Sequence, residues 1–150
     1  MRNLIPLADA LSVSTGLTYL VPLILFIVTN NPLHLKAFVG IGSTTIISES
    51  LKPFFSRLSP RPNQALNCNL LCNDGPQGGR PGMPSSHSAS VVFFTSFYIS
   101  EIDNIVGQLF LIGYAILVMA SRYVKKCHTI SQIIGGALLG LSLSHLVRHL

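Results

Sequence analysis

The sequence predicts an all-α polytopic membrane bundle of about five transmembrane helices, and three observations carry that prediction. Hydrophobic residues make up 49% of the chain and charged ones only 10%, against about 25% charged in an ordinary soluble domain. Mean hydropathy is +0.54. The apolar residues also gather in long runs, each near the roughly 20 residues that a helix needs to cross hydrocarbon. A buried helix of a soluble protein would explain one such run. Five in 150 residues leave no polar faces for a watery surface. That length allows one domain, so residues 1–150 read as a single membrane-embedded unit.

The first run covers about 11–29, with Pro22 as an expected kink. Arg2 ahead of it would suit a signal peptide, but the run is long and no small-residue cleavage site follows, so a retained helix is expected. The second run, about 35–51, is the most polar and contains Ser43, Thr44, Thr45, Ser48 and Glu49. The third begins at the Pro84-Ser85-Ser86 turn and continues to about 102; the fourth spans about 105–120 and the fifth about 129–147. Between the second and third lies the only long polar segment, about 53–86. Its six prolines and four glycines exclude a long helix and suit a loop folded over a site.

Threading five helices alternately through a bilayer puts the N-terminus, the long loop and the 121–128 turn on one side. Lys52, Arg61, His87, Arg122 and His128 then share one membrane face, although they are far apart along the chain. Two imidazoles and several cations at one level suit metal-free phosphoryl transfer. One imidazole attacks phosphorus, the other protonates the leaving oxygen, and guanidinium groups hold the equatorial oxygens.

Three clusters resemble the signature motifs of the phosphatidic acid phosphatase type 2 superfamily, which includes the vanadium-dependent haloperoxidases. They are Lys52 with Arg61-Pro62, Gly82-Met83-Pro84-Ser85-Ser86-His87-Ser88, and Ser121-Arg122-Tyr123 through His128-Thr129-Ile130-Ser131-Gln132. The wording of the last two is closer to dolichyldiphosphatases. The resemblance covers roughly residues 50–140 and implies the following roles. His128 is the nucleophile, and His87 is general acid and then base. Lys52, Arg61, Arg122, Ser85 and Ser86 bind the phosphate, with backbone N–H groups at a helix start contributing. Three departures stand out. Lys52 and Arg61 are nine apart, two more than the family usually has, so either the loop carries an insertion or Arg57 shares the lysine's role. Gln132 stands where the superfamily usually has aspartate, as dolichyldiphosphatase-like members also do. The family core has one helix more than the five runs here.

Residues four apart share a helix face, so the Gln132 amide oxygen is expected to accept the N–H of His128 and fix its tautomer. On that reading Gln132→Asp keeps or raises activity and Gln132→Leu loses much of it. Arg80 is a secondary phosphate candidate beside Arg57. His34, His145 and His149 read as interfacial residues, Lys125, Lys126 and Arg148 as topological flanks, and Glu49 as a partner for Lys52. The spacing of Cys68 and Cys72 fits neither a zinc site nor a redox motif; the two would bridge in an oxidising lumen and otherwise be spare thiols, with Cys127 the odd one. No carboxylate cluster suited to magnesium or calcium accompanies the motifs, so neither metal nor other cofactor is expected.

Eight Lys and Arg on the site face against two on the other argue for a cytoplasmic site, whereas the dolichyldiphosphatase resemblance implies the lumen of the endoplasmic reticulum. The expected partners are the bilayer and a lipid phosphate or diphosphate, first a polyprenyl (dolichyl) diphosphate, with no nucleic acid. A phosphatidate or sphingoid-base phosphatase is the alternative substrate reading, and a catalytically impaired scaffold of the same fold the alternative class. A haloperoxidase would be larger and soluble, which this composition opposes.

Overall fold

The computed structural model describes residues 4–150; Arg2 lies outside them. Its helices are α1 (Ile5–Ser14), α2 (Leu17–Thr29), α3 (Pro32–Leu51), α4 (Ser86–Tyr98), α5 (Ile105–Val124) and α6 (Ile130–His149). Each of the five apolar runs is helical, and the first is in two pieces. Three segments, Ile5–Thr29, Ile105–Val124 and Ile130–His149, are long and apolar enough to cross a membrane.

The first run is interrupted, but not at its proline. Pro22 lies buried inside α2, and the break falls at Thr15–Gly16, where i→i+3 bonds such as Gly16 N–H to the Val13 carbonyl (2.9 Å) replace helical ones. Ser14 and Thr18 donate their hydroxyls to the Leu11 and Thr15 carbonyls, and Gly16 is a poor helix former. Backbone competition and a glycine together interrupt the helix where the proline does not.

Helix starts follow local chemistry. Asn31, Ser85, Asn104 and Thr129 cap α3 to α6 through their side chains, and Pro32 occupies the first turn of α3, where a missing N–H costs nothing. Asn30 ends α2 in the left-handed region, at φ 51°.

The short helix α4 is the axis of the molecule. Most of its residues are buried, and α3, α5 and α6 pack around it. Its closest neighbour is α6, whose buried residues Gln132, Gly136, Gly140 and Ser144 recur every fourth position on one face. A Cβ on Gly140 would lie 2.2 Å from the Ala89 carbonyl oxygen, and one on Gly136 would lie 2.3 Å from that of Ser85. Small residues at this spacing let two backbones touch where lipid offers no hydrophobic drive for helices to associate.

The segment between α3 and α4 opens with a short 3₁₀ turn at Lys52–Phe55 and then doubles back on itself. Isolated bridges pair Pro60 with Pro81 and Leu66 with Pro76, and no strand forms among the described residues. The loop is fastened to the 121–128 turn by a Cys68–Cys127 disulfide. Neither alternative for the two loop cysteines, a bridge between them or two spare thiols, is what forms: Cys72 is the free thiol, and the odd Cys127 is the partner of Cys68. Lys125, read as a topological flank, is a buried fastener; it donates to the Asn67 carbonyl at 2.9 Å and pairs with Asp9 at 2.5 Å. Arg148 clasps the far end of the bundle, reaching the Phe97 carbonyl at 2.6 Å.

Gly140→Leu should lower stability in detergent by roughly 1–3 kcal/mol, the usual cost of overpacking. Ser142→Leu, on the exposed face of the same helix, should leave it unchanged; thermal unfolding checks both.

Candidate active site

A cavity of about 380 Å³ opens where α3 ends and α4 begins, beneath the folded loop. His87, His128, Lys52, Arg61 and Ser86 all line it, so residues up to 76 positions apart converge on one space (from Lys52 to His128). Of the five residues expected to share a face, four line this cavity and Arg122 does not.

His128 sits just before the α6 cap, almost wholly buried. Its Nδ1 lies 3.1 Å from Oε1 of Gln132, an oxygen that also accepts the Thr129 backbone N–H at 3.1 Å. An amide oxygen only accepts, so Nδ1 carries the proton and Nε2 keeps its lone pair. Burial above all, then Arg122, Arg61 and Lys52, holds the His128 pKa well below the usual histidine value, against a smaller upward pull from Gln132. That direction favours the neutral ring.

Gln132 does more than orient the ring. Its Nε2 donates to the Ser59 carbonyl, the Ser59 hydroxyl and the Pro60 carbonyl at 2.9–3.0 Å, so one side chain joins His128, helix cap and loop. Gly82 leaves room for it, because a Cβ there would lie 2.6 Å from the amide oxygen and nitrogen. Aspartate is too short to span these contacts and has no donor for the two carbonyls. The expectation that Gln132→Asp keeps activity is revised to a loss.

Lys52 lines the cavity and pairs with Glu49 at 2.5 Å; Glu49 also accepts the Ser86 hydroxyl at 2.5 Å. Burial above all lowers the Lys52 pKa, as do Arg61 and Arg122, while Glu49 opposes them. Arg61 is held by its Nε to the Pro81 carbonyl at 3.3 Å, and its buried Nη1 has no partner. The Thr15 hydroxyl, also on the cavity wall, is buried and unpaired. Arg122 is wholly buried behind this wall and contributes nothing to its lining. It donates to the Ser12 hydroxyl and, at 2.5 Å, to the Cys68 carbonyl, leaving Nε unpaired. Polar atoms buried without partners are costly, and of these three Arg61 Nη1 and the Thr15 hydroxyl belong to residues that line the cavity.

Three candidates fall elsewhere. Ser85 is buried as the α4 cap, accepting from the Ser88 hydroxyl at 3.1 Å, and is not part of the cavity wall; Ser86 supplies the hydroxyl there. Arg57 and Arg80 are exposed, Arg80 reaching only Gln77 at 3.3 Å. The nine-residue Lys52–Arg61 spacing is absorbed by the 3₁₀ turn and the chain reversal after it, without help from Arg57. Sequence reasoning missed Ser12, Thr15 and Tyr19 of the first run, whose only signal was hydroxyls within an apolar stretch. Among the described residues no three His, Cys, Asp or Glu side chains come close enough together to hold a metal ion.

The family model of the PAP2 superfamily matches residues 33–150. This chain belongs to the PAP2 superfamily. Its three apolar segments and that membership fit an integral membrane protein. Two curated relatives, lipid phosphate phosphatase epsilon 2 and epsilon 1 of Arabidopsis thaliana, both chloroplastic, are 33% and 31% identical over 115 residues, 71% of this chain. The PAP2 chain described here spans about a third of their length (35% and 36%). No solved structure matches it.

Gly82→Ala and Gln132→Asp should each cost roughly tenfold or more in kcat, the usual scale for losing a partner that orients a reacting ligand. A thermal scan of the same preparations should show the disulfide-fastened fold intact. Wild-type turnover in Gln132→Asp would show that the loop contacts of the amide are dispensable.

Proposed function

We propose that this chain is a lipid phosphate phosphatase working through a phosphohistidine. The observation that carries this reading is the single cavity holding a neutral His128, a second imidazole, two cationic side chains and unpaired buried donors. His128 Nε2 attacks phosphorus, and an N–P bond forms as the P–O bond to the leaving group breaks. The leaving oxygen takes its proton from His87. Water then attacks phosphorus and gives its proton to His87, the N–P bond breaks, and inorganic phosphate departs with His128 neutral again. Lys52 and Arg61 offset the charge on the phosphoryl oxygens, with Arg122 behind them. With cations in that role, the reaction needs no metal.

A lipid suits the surroundings. A second recess of about 610 Å³ shares His128 with the cavity and is walled by Leu4, Tyr123, Val124 and Ile130, an apolar path for a tail bound at its phosphate end. A polyprenyl diphosphate is the first substrate on the wording of the second and third motifs. The relatives' names support the broader lipid phosphate class, phosphatidate included. The Cys68–Cys127 bridge favours an oxidising compartment at the site face, because cytosolic thiols stay reduced. The endoplasmic reticulum lumen is the first candidate, against the positive-inside count, part of which the phosphate site itself accounts for; the relatives are chloroplastic by name.

Purified protein should release inorganic phosphate from a polyprenyl diphosphate in EDTA, and His128→Ala should abolish release. Activity surviving in that variant would remove the phosphohistidine. In sealed microsomes, an impermeant maleimide applied outside should label Cys72 only after permeabilisation; labelling of intact vesicles would put the site in the cytoplasm.

A further inference from the structure

We infer that Ser12 is a positioning residue for His87, supplied by a helix outside the three motifs. The inference rests on the general acid–base role of His87 proposed above. Ser12 lies in α1, upstream of residue 33, where the family match begins. It is wholly buried, and its Oγ is 3.3 Å from His87 Nε2.

The direction of these bonds is forced. A guanidinium only donates, so Ser12 Oγ accepts from Arg122 Nη1. In the charged ring Nε2–H donates to the second lone pair of Ser12 Oγ, and Nδ1, which has no protein partner among the described residues, carries the proton for the leaving oxygen; His87 lines the cavity. Giving up that proton leaves a neutral ring whose remaining hydrogen is still on Nε2, donating to Ser12, and whose bare Nδ1 takes the proton of the attacking water. An oxygen fixed by an arginine accepts Nε2–H in both states, and His87 must hold both in each turnover, as acid first and base second. Alanine accepts in neither. Arg122 thereby acts on the general acid through one oxygen, while its other arm holds the loop at Cys68.

The test separates positioning from folding by varying the leaving group. Nitrophenolate departs without a proton, whereas an alkoxide does not. In Ser12→Ala, phosphate release from an alkyl lipid monophosphate should fall roughly tenfold to a hundredfold, part of what general acid–base catalysis contributes. The first burst of nitrophenol from p-nitrophenyl phosphate should stay within about twofold of the parent, while the steady rate after it falls, because water attack still needs His87 as base. Ser12→Thr, which keeps the hydroxyl, should restore most of the lipid rate. An equal slowing of burst and lipid turnover, or unchanged lipid turnover, would overturn the inference. A readout independent of activity is nitrogen NMR of His87. The parent should show the Nε2–H tautomer and Ser12→Ala a mixture; a parent with its proton on Nδ1 sinks the inference whether or not the chain proves to be a phosphatase. Loss of all phosphate release in the parent, with the tautomer as stated, would instead reject the function and leave the hydrogen-bond assignment standing.

Discussion

The architecture turns on a positive charge enclosed without a counter-ion. Arg122 is wholly buried, its partners are a hydroxyl and a carbonyl, and none of the ion pairs among the described residues involves it. Leaving a charge so placed costs several kcal/mol, by the general scale for ions in protein interiors. That cost is tolerable because Ser12, the loop carbonyl at Cys68 and the 121–128 turn are all fixed around the guanidinium. The disulfide, the Lys125 contacts and the α1–α5 packing can each be understood as holding that cage closed. A bound phosphate would bring the missing negative charge to the cluster.

Close packing and chemistry meet on α6. The face that carries Gly136 and Gly140 against α4 also carries Gln132, one turn nearer the cavity. Because α4 begins at the Ser85 cap and exposes Ser86 and His87 to the cavity, contact between these two helices sets the relation of the two imidazoles. Ser85 N–H bonds the Gln132 carbonyl at 3.0 Å, tying the two helix starts directly. Ser85 was expected to bind phosphate and instead builds the frame that places its neighbour.

The helices were legible because hydrophobic run length is a strong signal, and the side chains that line the cavity because their motifs are ordered and specific. What escaped reading was tertiary. The break at Thr15–Gly16 was outbid by a more conspicuous proline, and Ser12 had no motif around it. The Gln132 amide was weighed only for its oxygen, since the carbonyls of Ser59 and Pro60 that occupy its nitrogen come from a loop with no local pattern. Cysteine pairing followed the fold of that loop rather than sequence proximity, which is why Cys68 passed over Cys72. The glycine stripe on α6 was visible at its four-residue interval but had no assigned partner until α4 was placed against it.

The Cys68–Cys127 bond closes a covalent ring, 59 residues apart in sequence, that encloses α4, α5, His87 and Arg122. Lys52 and Arg61 enter this ring from its upstream tail, and His128 leaves it on the other. Backbone scission anywhere inside the ring would therefore leave a nicked molecule in one piece, with His128 and the segment carrying Lys52 and Arg61 still joined through sulfur. Only a cut combined with a reductant would part them.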